Sequence, residues 1–201
     1  MRQRKQILTT LVLICGLAWI AAAIRPLDRQ AWLLENLLLL ISAALLLALD
    51  RRLQFSIASY FCIAAFVILH IAGAHYTYAQ MPLGLWVRDN FGLGRNHYDR
   101  FTHFAFGFLL VFPIRELLLR FSGIAPSWSY WLAGTTIVGI SGFFEIIEAS
   151  VAAIVAPGQG VEWLGGQGDE WDAQNDMLAA MIGAILMMVF SAIWERSRNR
   201  K

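Results

Sequence analysis

The sequence predicts an all-α, polytopic integral membrane protein, a helical bundle of about six transmembrane helices. Hydrophobic residues make up 58% of its 201 residues and charged residues only 15%, and the mean hydropathy is +0.57. Soluble domains carry about a quarter charged residues. Six apolar runs approach or reach the ~20 residues that a helix needs to cross the hydrocarbon core. They are residues 7–24, 32–49, 55–75, 101–119, 130–153 and 177–193. No repeat and no low-complexity linker separates them, so residues 1–201 read as a single transmembrane domain.

The first run follows Arg2, Arg4 and Lys5 and ends near Ala21-Ala22-Ala23, which resembles a signal peptide. Its apolar stretch exceeds the ~7–15 residues of a signal core, so it reads as a retained first helix. In the second run Glu35 is expected to pair with Arg29 at the interface, and Asn36 to cross-link helices. The third carries His70, expected as a hydrogen-bonded core histidine, and ends in His75, Tyr76 and Tyr78. The fourth contains Pro113, which frees a carbonyl and favours a kink, followed by Arg115 and Glu116, read as structural or topology-setting. The fifth holds Glu145 and Glu148. The sixth follows GGQGDEWDAQND, residues 165–176. Cys15 and Cys62 lie inside apolar runs and read as buried small hydrophobes.

Positive charge sets orientation. With both termini cytoplasmic, eleven Lys and Arg residues fall inside (Arg2, Arg4, Lys5, Arg51, Arg52, Arg115, Arg120, Arg196, Arg198, Arg200, Lys201) and five outside (Arg25, Arg29, Arg88, Arg95, Arg100). The acidic 157–176 loop then faces outward. A net charge of +2 gives no reason to expect nucleic acid; membrane lipids are the expected surroundings.

That orientation collects polar residues from four segments at one membrane depth. Asp99 and His103 are four apart and share a helix face. A carboxylate so placed can orient an imidazole for metal ligation or general base work, or merely cap the helix. Glu145 and Glu148, three apart in an apolar run, should face a protein interior or wet cavity. Close like charges favour a shared proton or a cation. Asp169, Asp172 and Asp176 repeat at helical spacing, and Ala180 and Gly183 continue that face with small residues that permit close helix approach. Alternatively, these three acids form a solvated loop with a helix cap. Asp99, His103, Glu145, Glu148, Asp172 and Asp176 are the catalytic candidates; His103, Glu145 and Asp176 are the candidate metal ligands; His75, Tyr76 and Asp169 are secondary. Oxygen-rich ligands with one imidazole suit a divalent metal. No Glu-x-x-His pair of di-iron bundles and no His-Glu-x-x-His motif fixes which one. Gly158, Gly160, Gly165, Gly166 and Gly168 read as tight turns, because no strand precedes them and no Lys-Ser/Thr follows. Gly139-Ile140-Ser141-Gly142 lacks the spacing of a nucleophile elbow.

ENLLLL (Glu35 to Leu40), GAHYTYAQMPLG, RNHYDRFTHFAFGFLL with PIRE, EIIE and GQGDEWDAQNDM together resemble the YjdF-type inner-membrane proteins of bacteria. The resemblance runs from the second span to the sixth and implies a multi-pass protein of the cell inner membrane, in a family of unknown function. A more distant resemblance is to VanZ-like membrane proteins, linked with resistance to a glycopeptide antibiotic. Asp99 with His103-Phe104 looks like their first element, Glu145 the second, and Asp176 with Gly183-Ala184 the third. Glu148 stands where that pattern has Gln, Ala180 where it has Asn, and the loop Arg is absent. Three functions remain open: an enzyme or binder for a lipid or envelope precursor, metal-dependent or acid–base; a non-catalytic accessory protein; and a cation- or proton-coupled transporter.

Overall fold

The computed structural model describes residues 2–155 and 166–198. Among the described residues the regular structure is helical: α1 (Arg2–Ala22), α2 (Arg29–Leu53), α3 (Ile57–His75), α4 (Pro82–Phe91), α5 (Tyr98–Phe121), α6 (Pro126–Val155) and α7 (Asp172–Arg198). Five of them, α1, α2, α3, α6 and α7, are long and apolar enough to cross a membrane. The six expected spans fall within or nearly within α1–α3 and α5–α7. The fourth lies in α5, which runs on through Pro113. Gly158, Gly160 and Gly165 lie outside the described residues.

Local chemistry sets the boundaries. Asp28 caps α2, its carboxylate accepting from the amides of Gln30 and Ala31 at 2.8 and 2.9 Å, which supplies partners for otherwise orphaned donors. Ser56 caps α3 through the Ser59 amide at 3.2 Å. α4 begins on Pro82, whose missing N–H costs nothing at a first helical position, and ends on Gly92 at φ +63°, a left-handed cap that suits glycine. Asp169 Oδ1 accepts from the Trp171 amide at 3.0 Å and its Oδ2 from Asn175 Nδ2 at 3.2 Å, organising the turn that opens α7.

The chain divides into two compact units, residues 1–102 and 103–201. In the first, α1 and α3 run parallel and α2 antiparallel to both. One end is tied by Arg4, whose Nη2 donates to Asp50 Oδ1 at 2.7 Å and Tyr60 Oη at 2.5 Å, with Tyr60 Oη donating to Asp50. Towards the other end, Trp19 Nε1 donates to the buried Asn36 Oδ1 at 2.7 Å, the interhelical bond expected of that asparagine. His70 is a bonded core histidine, as expected: its Nε2 lies 3.3 Å from the Glu35 carbonyl, and its Nδ1 lies 2.6 Å from Tyr78 Oη. A carbonyl can only accept, so Nε2 carries the proton and Tyr78 donates to Nδ1. The expected Glu35–Arg29 pair does not form. Six residues on a helix turn the side chains ~240° apart, and Arg29 Nη1 instead reaches the Ala23 carbonyl at 3.5 Å. Cys15 and Cys62 are free thiols.

In the second unit α5 and α7 run parallel and α6 antiparallel to both. Its core is Val111, Ala133, Ile137, Ala180 and Ala184. The α5 and α7 backbones touch: a Cβ on Gly107 would overlap the Ala180 carbonyl, and one on Gly183 would overlap the Phe104 carbonyl and come within 2.8 Å of Phe108 N. Without a membrane-specific hydrophobic force between helices, such small-residue contacts provide the dispersion that holds them together. One end of this unit is locked by Arg115. Its guanidinium forks onto Glu195 at 2.7 and 3.2 Å, donates from Nε to Ser129 Oγ at 3.0 Å, and lies 3.9 Å from the Tyr130 ring centroid. Tyr130 Oη donates to the same carboxylate at 2.9 Å. The structural reading of Arg115 thus has a specific form, a three-helix clamp. Glu116 pairs with Arg120 one turn on at 2.6 Å.

Candidate functional site

The opposite end of the 103–201 unit holds the second polar layer. His103 is about 18 Å along α5 from Arg115, twelve residues at helical rise. It faces two residues on α6, Ser141 and Glu145, which stand four apart and so share a face. His103 Nδ1 lies 3.2 Å from Ser141 Oγ, and its Nε2 lies 3.3 Å from Glu145 Oε1. The Phe144 ring packs against the imidazole, the centroids 6.1 Å apart. Both side chains are nearly enclosed, 11% exposed for His103 and 13% for Glu145.

Asp176 completes the layer from the first turns of α7 and is only 1% exposed. One nitrogen of His103 and one carboxylate oxygen each from Glu145 and Asp176 all lie within 4.8 Å of one another. The cause is the close packing below them. Ala180 and Gly183, one and two turns after Asp176, contact the α5 backbone at Gly107 and Phe104 and hold Asp176 at the depth of His103. Gly142 lets Met177 approach α6, where a Cβ would sit 3.0 Å from its Cε.

The chemistry follows from the atoms. A serine hydroxyl can donate or accept, and a carboxylate can only accept. If Nδ1–H donates to Ser141, the lone pair of Nε2 faces Glu145, and either a proton or a cation must lie between two acceptors. If Ser141 donates to Nδ1, Nε2–H donates to Glu145 directly. The layer can therefore hold a proton or a positive ion. The first arrangement is the one in which a metal-ligating imidazole gives its other N–H to a neighbouring oxygen, fixing the ring's orientation. Trans oxygen ligands of a calcium-sized ion stand about 4.8 Å apart and cis ligands about 3.4 Å. The three donor atoms, all within 4.8 Å of one another, do not exceed the trans separation.

Each of the other sequence candidates has its place on its own element. Glu148 is half-buried on α6, three residues beyond Glu145, and Asp172 opens α7, one turn before Asp176. Asp99 lies in the first turn of α5, within the 1–102 unit. It is inside the helix rather than at its cap; the Tyr98 amide at that end is satisfied by Asn96 Oδ1 at 3.0 Å. Asp169 organises the turn before α7. His75 Nδ1 reaches the Ala22 carbonyl at 2.8 Å, and Tyr76 stacks edge-on against its ring and ends α3, so both sit at the α1–α3 end of the first unit. Ser141 escaped the sequence reading, which weighed it only as a nucleophile. Its spacing of four from Glu145 was the available signal.

Comparison with known proteins agrees with the helical, apolar architecture. The family described as "Predicted membrane protein (DUF2238)" matches residues 7–197. The chain belongs to the DUF2238 family. Over 188 residues it is 36% identical to inner membrane protein YjdF of Escherichia coli strain K12, an alignment covering 92% of this chain and 89% of that one. No solved structure matches it. This DUF2238 protein is accordingly a multi-pass protein of the inner membrane.

Proposed function

We propose that the His103–Glu145–Asp176 layer is a divalent-cation site at the extracytoplasmic face of the inner membrane, and that it serves the headgroup of a lipid or envelope precursor. The observation that carries the reading is convergence: three ligating side chains from three helices, one of them an aspartate 1% exposed, within 4.8 Å of one another. A carboxylate buried among membrane helices needs a proton, a donor or a cation, and such residues mark working sites more often than structural ones. Side assignment rests on charge. Arg196 and Arg198 end α7 at the Arg115 end of the unit, while α6 and α7 carry no Lys or Arg near Glu145 and Asp176. The positive-inside rule therefore turns the His103 layer outward. A headgroup at that depth would meet the ion, with His103 as base or ligand and with Glu148 and Asp172, about a turn away on the same two helices, as further carboxylates.

The 3.3 Å His103–Glu145 contact favours a second reading, a metal-free acid–base pair. Elemental analysis of the purified protein beside its Glu145→Gln and Asp176→Asn variants separates the two. A stoichiometric divalent metal in the parent, lost from both variants while their helical content is retained, is the expected result. A parent devoid of metal after preparation without chelators, and unresponsive to added Mg, Ca, Mn or Zn, rejects the cation site and leaves the acid–base pair.

A further inference from the structure

Helix α4 has no part in the site above, yet it exposes the most conspicuous apolar face outside the long helices. At ten residues it is about 15 Å long, half the ~30 Å hydrocarbon thickness, so it cannot cross the bilayer. Leu83, Trp86 and Phe91 are 57%, 59% and 71% exposed. At 100° per residue Trp86, Leu83, Val87 and Phe91 fall within an arc of about 140° that also includes Asn90, whose Nδ2 donates back to the Trp86 carbonyl at 2.8 Å, while Arg88, Leu85 and Asp89 occupy the other side. Arg88 and Asp89 pair with each other at 2.8 Å, a charged couple that borders the arc on its remaining side.

The segment is held at the level where its neighbouring helices meet the membrane surface. Asn96, fully buried, donates from Nδ2 to the carbonyls of Ala79 and Met81 at 2.9 and 3.1 Å and accepts the Tyr98 amide. One side chain thus pins the entry to α4, whose N-cap is Met81, and the place where the chain enters α5. α4 is seated on that residue, since a Cβ on Gly84 would overlap the Asn96 side-chain amide. Tyr98 Oη donates to the Leu69 carbonyl at 2.9 Å, tying the start of α5 to the last turns of membrane-crossing α3. The excursion therefore begins and returns at the end of a span.

We infer that α4 is an interfacial helix that lies along the bilayer surface and seats its Leu83–Trp86–Phe91 face at the boundary between headgroups and acyl chains. Tryptophan favours that boundary because it joins a large apolar ring to an N–H donor. A short amphipathic helix with charge on its far side binds there by its buried apolar area.

The test uses the full chain in vesicles of phosphatidylethanolamine and phosphatidylglycerol. Cys15 and Cys62 are replaced by alanine, and single spin labels are placed at Leu83→Cys, Trp86→Cys, Phe91→Cys, Arg88→Cys and Asp89→Cys. Collision with oxygen, which concentrates in lipid, is compared with collision with a water-soluble nickel chelate. The ratio should be several-fold higher at positions 83, 86 and 91 than at 88 and 89. Nickel access at all five positions would place the helix in water and overturn the inference. So would protection of the 83–86–91 face from both reagents, which indicates protein, such as a second copy of the chain, covering it.

Discussion

Replacing Gly183 by alanine adds one methyl group where the α5 and α7 backbones touch, and the consequence can be worked from the contacts. The new Cβ overlaps the Phe104 carbonyl and sits 2.8 Å from Phe108 N. Neither neighbour is a side chain that can rotate away, so the helices must part by the better part of an ångström. A gap of 0.5–1 Å forfeits about a quarter to a half of each dispersion contact across it, and overpacking of this kind costs about 1–3 kcal/mol. For a chain of this size that corresponds to roughly 2–12 °C in Tm. Two glycines of α6 serve as controls in the same unit. A Cβ on Gly139 meets nothing within 4 Å, and one on Gly142 meets only the flexible Met177 side chain, its Cε at 3.0 Å and Sδ at 3.5 Å. Thermal unfolding in detergent, followed by circular dichroism, should rank Gly139→Ala at or above the parent, Gly142→Ala slightly below, and Gly183→Ala well below. Because Asp176 rides on the same helix two turns away, Gly183→Ala should also weaken divalent-cation binding by titration calorimetry while Gly139→Ala leaves it intact. A Gly183→Ala protein as stable as Gly139→Ala would refute the account of close backbone packing.

Glu195→Ala leaves the Arg115 guanidinium without its forked partner. Because Glu195 is 48% exposed, water recovers part of the loss, and the expected cost is about 1–2 kcal/mol, below the ~3–5 of a fully buried pair. The Arg115→Met/Glu195→Ala double variant should lose less than the two single changes combined in the same melt. Asn36→Leu removes the acceptor of Trp19 Nε1 and should lower stability by about 0.6–2 kcal/mol, with a shifted tryptophan emission as the local readout. Ser141→Ala removes the group that orients His103 and should weaken cation affinity by about 10–100-fold with little change in Tm; unchanged affinity contradicts the orienting role.

Much of the architecture was legible from one-dimensional pattern. Apolar run length located six helices, because a bilayer imposes length and hydropathy on each span independently of its neighbours. The histidine at 70 and the asparagine at 36 were legible for a similar reason: an isolated polar group in an apolar run must find a partner within the protein. α4 was not anticipated, since ten residues with two charges fall below any span threshold; Pro82 and Gly92 were its only marks. Glu35 was misassigned because proximity in sequence stood in for helical phase, and six residues place Arg29 on a different side of α2.

The candidate site divides along the same line. His103, Glu145 and Asp176 were nameable individually, as costly polar residues in apolar surroundings, and helical period fixed which neighbours share their faces. Their convergence was decided by packing between helices, where Gly107 and Gly183 allow backbone contact and set the axial register of α7 against α5. Ser141 became a partner of His103 only through the register of α6. Composition and periodicity are properties of single segments, so sequence alone determined that this protein is a multi-helix membrane chain with a few expensive polar groups. Which of those groups meet depends on distances between segments, and only the tertiary structure, through the contacts of small residues, decided them.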